Sequence, residues 1–249
     1  MSGKQNGNLI TIGIPVYNSA NYITTTLDTV RKQKGSFDVV IRDDCSPDNT
    51  VEIISGYITE HSLPWVLVEG KENEGCSLAR RRLLDDVKTP FIFFVDADDL
   101  LIGDNVIEKI TPLLEKHDLV YINRVSRFDR HNFSTNNLLR DIYNHNIGDH
   151  INCFVKADIF REITWYAPQY SEVYYLMIAA VLKSKTPVYY DEPLYRVRTN
   201  PKSLTHYRDP KLMRLETWFY KNKVHELLVA AGYPVHTLTS ETGGGAGYG

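Results

Sequence analysis

Residues 90–101 read PFIFFVDADDLL, and no other stretch restricts the chain's options as tightly. Phe91, Ile92, Phe93, Phe94 and Val95 form an unbroken apolar run between Pro90 and a set of acids. That is the pattern of a strand covered on both faces. Asp96, Asp98 and Asp99 would then arrive together at its C-terminal end. Like charges so placed repel, and desolvation raises carboxylate pKa values, so the cluster is costly unless a cation or hydrogen-bond donors compensate it. A hard divalent cation, Mn2+ or Mg2+, is one compensation: one or two carboxylates suffice when waters and a substrate's phosphates complete its shell. A solvated acidic turn leading into a helix cap is the other reading of the same residues.

Strand-type and helix-type patterns alternate ahead of this run. Leu9 to Ile14 reads as a strand stopped by Pro15, after which Asn18 or Ser19 is placed to cap a helix with Ile23, Leu27 and Val30 on one face. Phe37 to Ile41 is a second strand ending in Asp43 and Asp44, followed by a helix that Asp48 or Asn49 can cap. Pro64 to Val68 is a third strand. A polar loop then leads to a helix over 77–87 bearing Arg80, Arg81 and Arg82, of which only one need face inward. The alternation predicts a mostly parallel sheet flanked by helices, a class that binds ligands at the carboxyl ends of its strands. Pro15 to Tyr17, Asp43 and Asp44, and Asp96 to Asp99 all fall there. Neither G-x-G-x-x-G nor a P-loop occurs, so phosphates would be held by metal and side chains.

The 249 residues, 43% hydrophobic, are enough for one α/β domain with an appendage. A net charge of −3 supplies no broad basic field for nucleic acid. Cys45, Cys76 and Cys153 are odd in number, far apart and without a C-x-x-C pair, which argues against a disulfide framework or a zinc site and for the cytoplasm. The polar N-terminus predicts no secretion signal, and the lack of an apolar run of ~18 residues predicts no membrane span, leaving peripheral membrane contact open. Further on, Asp118 to Ile122 and Pro187 to Tyr190 read as strands. Between them, 128–150, rich in Asn, Arg and His, reads as an irregular polar segment with a short helix around Asn137 to Tyr143. A helix over Lys211 to Ala231 either packs on the domain or mediates a homo-oligomer, and a glycine-rich tail follows.

Four stretches carry a resemblance. Thr11 to Asn18 (TIGIPVYN), Asp43 to Thr50 (DDCSPDNT), Asn73 to Arg80 (NEGCSLAR) and Val95 to Asp99 (VDADD) resemble, in order and spacing, four successive motifs of the family 2 glycosyltransferases. Asp191 to Arg198 with Ser203 to Thr205 is similar to a segment of bacterial members. The resemblance implies an α/β glycosyltransferase A-type fold: a Rossmann-like nucleotide-sugar half at 1–110, an acceptor and catalytic-base half at 111–210, a C-terminal helix at 211–235 and a flexible tail at 236–249. The implied reaction is inverting transfer from a nucleoside-diphosphate sugar, most often a UDP-sugar, to an acceptor hydroxyl. The acceptor could be a glycan, lipid, protein or modified nucleic acid.

Residue by residue, the resemblance sets Pro15, Val16, Tyr17 and Asn18 against the nucleotide, gives Asp44 a hydrogen bond from the base, and flanks nucleotide and sugar with Asn73 and Arg80. It turns Asp96 toward the ribose or sugar, with Ala97 beside it, and puts Asp98 on Mn2+ or Mg2+. Asp99 either ligates through water or, as we expect, caps the next helix. His206 could complete the metal sphere, and Arg198 could grip a phosphate. Members usually supply the general base as the Asp of a Glu-Asp pair; here Glu172 is present and Val173 holds the Asp position. Three readings follow: Glu172 is the base, another acid such as Asp149 or Asp158 is, or the chain is a catalytically weak or inactive sugar-nucleotide-binding subunit. Without the resemblance, Asp44 reads as a turn acid, Arg80 as a solvated charge and Glu172 as a helix N-terminal acid. A sugar-1-phosphate nucleotidyltransferase shares the general architecture but would carry a glycine-rich basic loop that Ile10 to Asn18 lacks.

Overall fold

The computed structural model describes residues 7–125, 133–145, 151–168, 171–199 and 209–233. His206, Asp149, the two ends of the 128–150 segment (128–132 and 146–150) and the glycine-rich tail lie outside these residues. Strands β1 (Ile10–Val16), β2 (Asp38–Asp43), β3 (Val66–Glu69) and β4 (Phe91–Phe94) pair in parallel and alternate with helices α1 (Ile23–Arg31), α2 (Thr50–Glu60) and α3 (Cys76–Leu83). The chain continues through β5 (Leu100–Leu101), α4 (Val106–Leu114), β6 (Leu119–Val125), a 3-10 turn at Thr135–Asn137 and α5 (Leu138–His145). It ends with β7 (Cys153–Lys156), α6 (Ala157–Arg161), α7 (Glu172–Lys183), β8 (Pro187–Arg196) and α8 (Pro210–Ala230).

Among the described residues, one sheet holds eight strands in the order β3-β2-β1-β4-β7-β6-β8-β5. β7 runs antiparallel to both β4 and β6, so β6 points the same way as β4, and β8 joins β6 in parallel. The expected mostly parallel sheet is borne out, and the C-terminal ends of β1, β2, β4 and β6 share one edge. β4 is buried along its whole length, as its apolar run requires. Phe93 stacks on Phe154 of β7 with ring centroids 4.1 Å apart. On one face Ile12, Ile14, Phe93 and Val95 pack toward α1 and α4; on the other Phe94, Tyr121 and Val155 pack toward α5, α7 and α8. At Gly13, where β1 runs beneath α3, a Cβ would stand 2.8 Å from Leu83 Cδ2 and 2.9 Å from Ile92 Cδ1, so the helix and the sheet close on space that only glycine leaves.

Several expectations change. β1 continues through Pro15, because the Gly13 carbonyl accepts from Val95 N–H at 3.0 Å and residue 15 therefore turns its backbone nitrogen to the same side, past the end of β4 where no ladder bond is lost. α1 begins at Ile23 without a side-chain cap: the Ser19 backbone carbonyl, not Asn18 or the Ser19 hydroxyl, receives Tyr22 and Ile23 N–H. β8 runs past Tyr190 because register shifts opposite Ile122 to Arg124 let it pass Pro193. β7 and β5 go unrecognised in the sequence, one a short apolar run without periodicity and the other two residues long. Asp99 does not cap α4, whose cap residue is Asn105. Asp158 lies on α6 beyond Lys156, which pairs with Phe91 at the opposite end of β4 from the acids. It is 84% exposed and bound to Arg161 at 2.8 Å, so the reading of Asp158 as base is overturned.

Candidate active site

The turn after β4 is held from two other elements. The Asp99 N–H donates to the Asp96 carbonyl at 3.0 Å. The buried Asp99 carboxylate accepts the Tyr195 hydroxyl at 2.9 Å and the Arg198 N–H at 2.9 Å. Tyr195 Oη in turn accepts the Asp96 N–H at 3.1 Å, and burial beside these acids holds the phenol in its neutral form. From α1, Thr26 Oγ1 donates to the Ala97 carbonyl at 2.8 Å. Arg198 donates Nε to the Asp98 carbonyl and Nη2 to the Tyr22 carbonyl at 3.1 Å and Thr26 Oγ1 at 3.0 Å, with its guanidinium carbon 5.5 Å from the Tyr22 ring centroid. The structure thus places Arg198 under the acidic turn as a brace. Asp98 stands half-buried on that turn.

The second support comes from α3. Asp44 Oδ1 accepts Glu74 N–H at 3.0 Å and Oδ2 accepts Gly75 N–H at 2.7 Å, fastening the loop that opens α3 to the end of β2. Gly75 adopts φ +86, a left-handed value that suits glycine. Asn73 Oδ1 accepts the same N–H at 3.1 Å. Burial raises the Asp44 pKa, with these two backbone donors opposing it. Both oxygens keep a further lone pair for a ligand. Val16 is buried beside them, Tyr17 is 44% exposed, and Asn18 at φ +50 donates its N–H to Ser46 Oγ at 3.0 Å.

One turn into α3, Arg80 reaches two acids at once. Nη2 donates to Asp96 Oδ1 at 2.7 Å and Nη1 to Glu172 Oε1 at 3.3 Å, while its buried Nε has no hydrogen-bond partner. Burial pulls its pKa down, but Asp96, Cys76 and Glu172 outweigh this and hold it above the ordinary value. The neighbouring Arg81 and Arg82 are turned outward to Asp85 and Glu74, so one arginine of the triplet faces inward, as expected.

Glu172 opens α7 behind Ser171, which adopts φ +66 and whose hydroxyl lies 3.2 Å from that of Thr217 on α8. Its Oε1 also accepts the Cys76 thiol at 3.1 Å. Burial raises the Glu172 pKa above the usual carboxylate range, against the lowering effect of Arg80 and the thiol. Val173, next along α7, is 2% exposed and belongs to the apolar core.

Pro15 to Asn18, Asp44, Asn73, Arg80, Asp96 to Asp98, Glu172 and Arg198 therefore share one edge of the sheet. Tyr195, Thr26 and Cys76 were not anticipated; a Tyr or Thr hydroxyl inside an apolar pattern gives no sign of the acid or carbonyl it will meet. For a divalent cation the test is the donor set. Among the described residues no group of three or more His, Cys, Asp or Glu side chains is arranged to hold a metal. The half-buried Asp98 carboxylate fits an ion that draws most of its shell from phosphates and water.

The model of the family described as Glycosyl transferase family 2 matches residues 11–187. The chain is 33% identical over 107 residues to the poly(ribitol-phosphate) beta-N-acetylglucosaminyltransferase TarS of Staphylococcus aureus, covering 42% of this chain and 18% of the relative. It is 25% identical over 250 residues to the glycosyltransferase GlyA of Streptococcus pneumoniae, covering 91% of this chain and 35% of that protein. The chain thus spans a minor part of these relatives' length. Among solved structures, S. aureus TarS in complex with UDP superposes with a TM-score of 0.70 at 18% identity, covering 92% of this chain and 68% of that one. The mannosyltransferase PcManGT of Pyrobaculum calidifontis, in complex with GDP-Man and Mn2+, gives 0.65 at 16% identity, covering 90% and 75%. These likenesses confirm the glycosyltransferase A-type fold. With 11–187 matched and the four motif segments gathered on one sheet edge, the chain belongs to the family 2 glycosyltransferases.

Proposed function

We propose that the chain transfers a glycosyl group, with inversion, from a nucleoside-diphosphate sugar to an acceptor hydroxyl. A UDP-sugar is the first candidate, because TarS is described with UDP and with UDP-GlcNAc; the GDP-Man in PcManGT makes a GDP-sugar the second. One observation carries the reading: a single buried arginine joins Asp96 on the donor-side turn to Glu172, an acid whose proton affinity is raised by burial. The donor half corresponds to 1–110 and the acceptor half to 111–210.

In this mechanism Pro15 to Asn18, Asp44 and Asn73 bound the nucleotide, and Asp96 orients the ribose or sugar. Asp98 would hold Mn2+ or Mg2+, which when bound neutralises charge on the departing diphosphate. Glu172 removes the acceptor hydroxyl's proton as that oxygen attacks the anomeric carbon, and the bond to the diphosphate breaks with its electron pair leaving on phosphate oxygen. Arg80 keeps Glu172 oriented, and Arg198 and Tyr195 keep the turn in place. Cys45, Cys76 and Cys153 form no disulfide with one another, and among the described residues no helix is long and apolar enough to cross a membrane.

The test titrates UDP, with and without Mn2+, into wild type and Asp98→Ala by calorimetry, with donor hydrolysis measured on both and on Glu172→Gln. Metal-dependent binding abolished in Asp98→Ala, together with a loss of turnover of about 10²–10⁴-fold in Glu172→Gln, is expected. Metal-dependent binding without turnover would instead support the sugar-nucleotide-binding subunit. Failure to bind any nucleoside diphosphate would overturn the assignment of the acidic turn.

A further inference from the structure

Helix α8 is amphipathic on its inner side and apolar again on its outer side. Tyr220, Val224 and Leu228 are buried in the core around α7. Facing away, Leu215 and Trp218 are 66% and 68% exposed, and Leu212 is 47% exposed. Lys211, Arg214 and Lys221 are exposed among them. At about 100° per residue, Lys211, Arg214, Leu215, Trp218 and Lys221 fall within an arc of about 120°. The acids of α8 lie elsewhere: Glu216 is half-buried on the inner side and Glu226 pairs with Lys223 at 2.8 Å. Asn222, His225 and the exposed Val229 share the arc and Glu226 lies just past its edge, so the outer arc combines three cations and no acid with an indole, a leucine and a valine.

We propose that this face of α8 is a docking surface for an anionic lipid bilayer. A bilayer surface accepts all parts of the arc together: Trp218 and Leu215 enter the headgroup boundary, while Lys211, Arg214 and Lys221 extend their stems and leave their charges at anionic headgroups. A second copy of the chain is a poorer occupant. A two-fold contact through the same arc would bring six cations into one interface with no acid between them. The surface is argued from α8 alone and does not depend on the chemistry assigned to the active site.

The experiment sediments the full chain with vesicles of phosphatidylcholine alone and of phosphatidylcholine mixed equally with phosphatidylglycerol, at low and high salt, and records tryptophan emission. Wild type is expected on the anionic vesicles only, with a blue-shifted emission and release at high salt. The pair Leu215→Ser, Trp218→Ser and the triple reversal Lys211→Glu, Arg214→Glu, Lys221→Glu are each expected to weaken partition by on the order of tenfold or more. Because these positions are exposed, the melting temperature and UDP binding should stay unchanged, which separates a lost surface from a lost fold. Absence of wild type from anionic vesicles, equal partition onto neutral ones, or variants that bind like wild type would each overturn the proposal. Self-association without vesicle binding, removed by the Leu215 and Trp218 pair, would also overturn it and assign the face to a second copy.

Discussion

Asp96 and Glu172 share one guanidinium yet are built in opposite ways. Asp96 ends a buried strand, holds Arg80 at 2.7 Å and keeps 18% of its side chain exposed. Glu172 begins a helix behind a left-handed serine, stands 3.3 Å from Arg80 and keeps 6% exposed. A strand end offers its acid to whatever occupies the sheet edge. A helix start folded under α3 insulates its acid, and insulation raises proton affinity. One side of the site is thus fitted to receive charge from outside and the other to hold a proton within.

The sharpest way to break this pairing is Arg80→Met. It leaves two acids without their shared cation, one of them fully buried, and should cost on the order of 3–5 kcal/mol, read as a fall in the denaturant midpoint. A loss below about 1 kcal/mol would show that the carboxylates do not depend on Arg80. Next in size is Val173→Asp, which supplies the acid that the motif resemblance expects at this position. Because Val173 lies in the core and not on the site, the change should destabilise by about 2–4 kcal/mol without raising turnover. A gain in transfer rate would show that α7 presents position 173 to the acceptor. The smallest effect is on pH dependence. With Glu172 as the proposed base, turnover should be complete above its raised pKa and fall as pH drops through it, in a window lying above the ordinary carboxylate value of 4.5. The same shift opposes folding in the other direction, since ionising a buried acid costs stability as pH rises through that window. An acid limb at the ordinary value would detach the base from Glu172.

The donor side of this comparison was legible in the sequence because each of its parts is local. An apolar run closed by acids and a strand ending in paired acids state their geometry within about ten residues. The rest of the site depends on contacts between distant residues. Tyr195 meets Asp99 across 96 positions and Glu172 meets Arg80 across 92, and no periodicity encodes such meetings. β7 shows the same limit: its apolar residues are plain, but only the sheet decides that they run antiparallel between β4 and β6. Asp99 was misassigned for a related reason, since its sequence neighbours suggest a helix cap while its partners come from β8.

Gly13 has no side chain near any ligand, yet the missing methyl group sets how deeply α3 settles on β1, and α3 carries Arg80. The residue works as a length standard for the site. A programme to change donor or acceptor preference has freedom at an exposed rim position such as Tyr17, where a new side chain alters only what it touches. Position 13 offers no such freedom. Any atom added there would be transmitted through Leu83 and the helix to the guanidinium, and would register as a fault in charge placement many residues away.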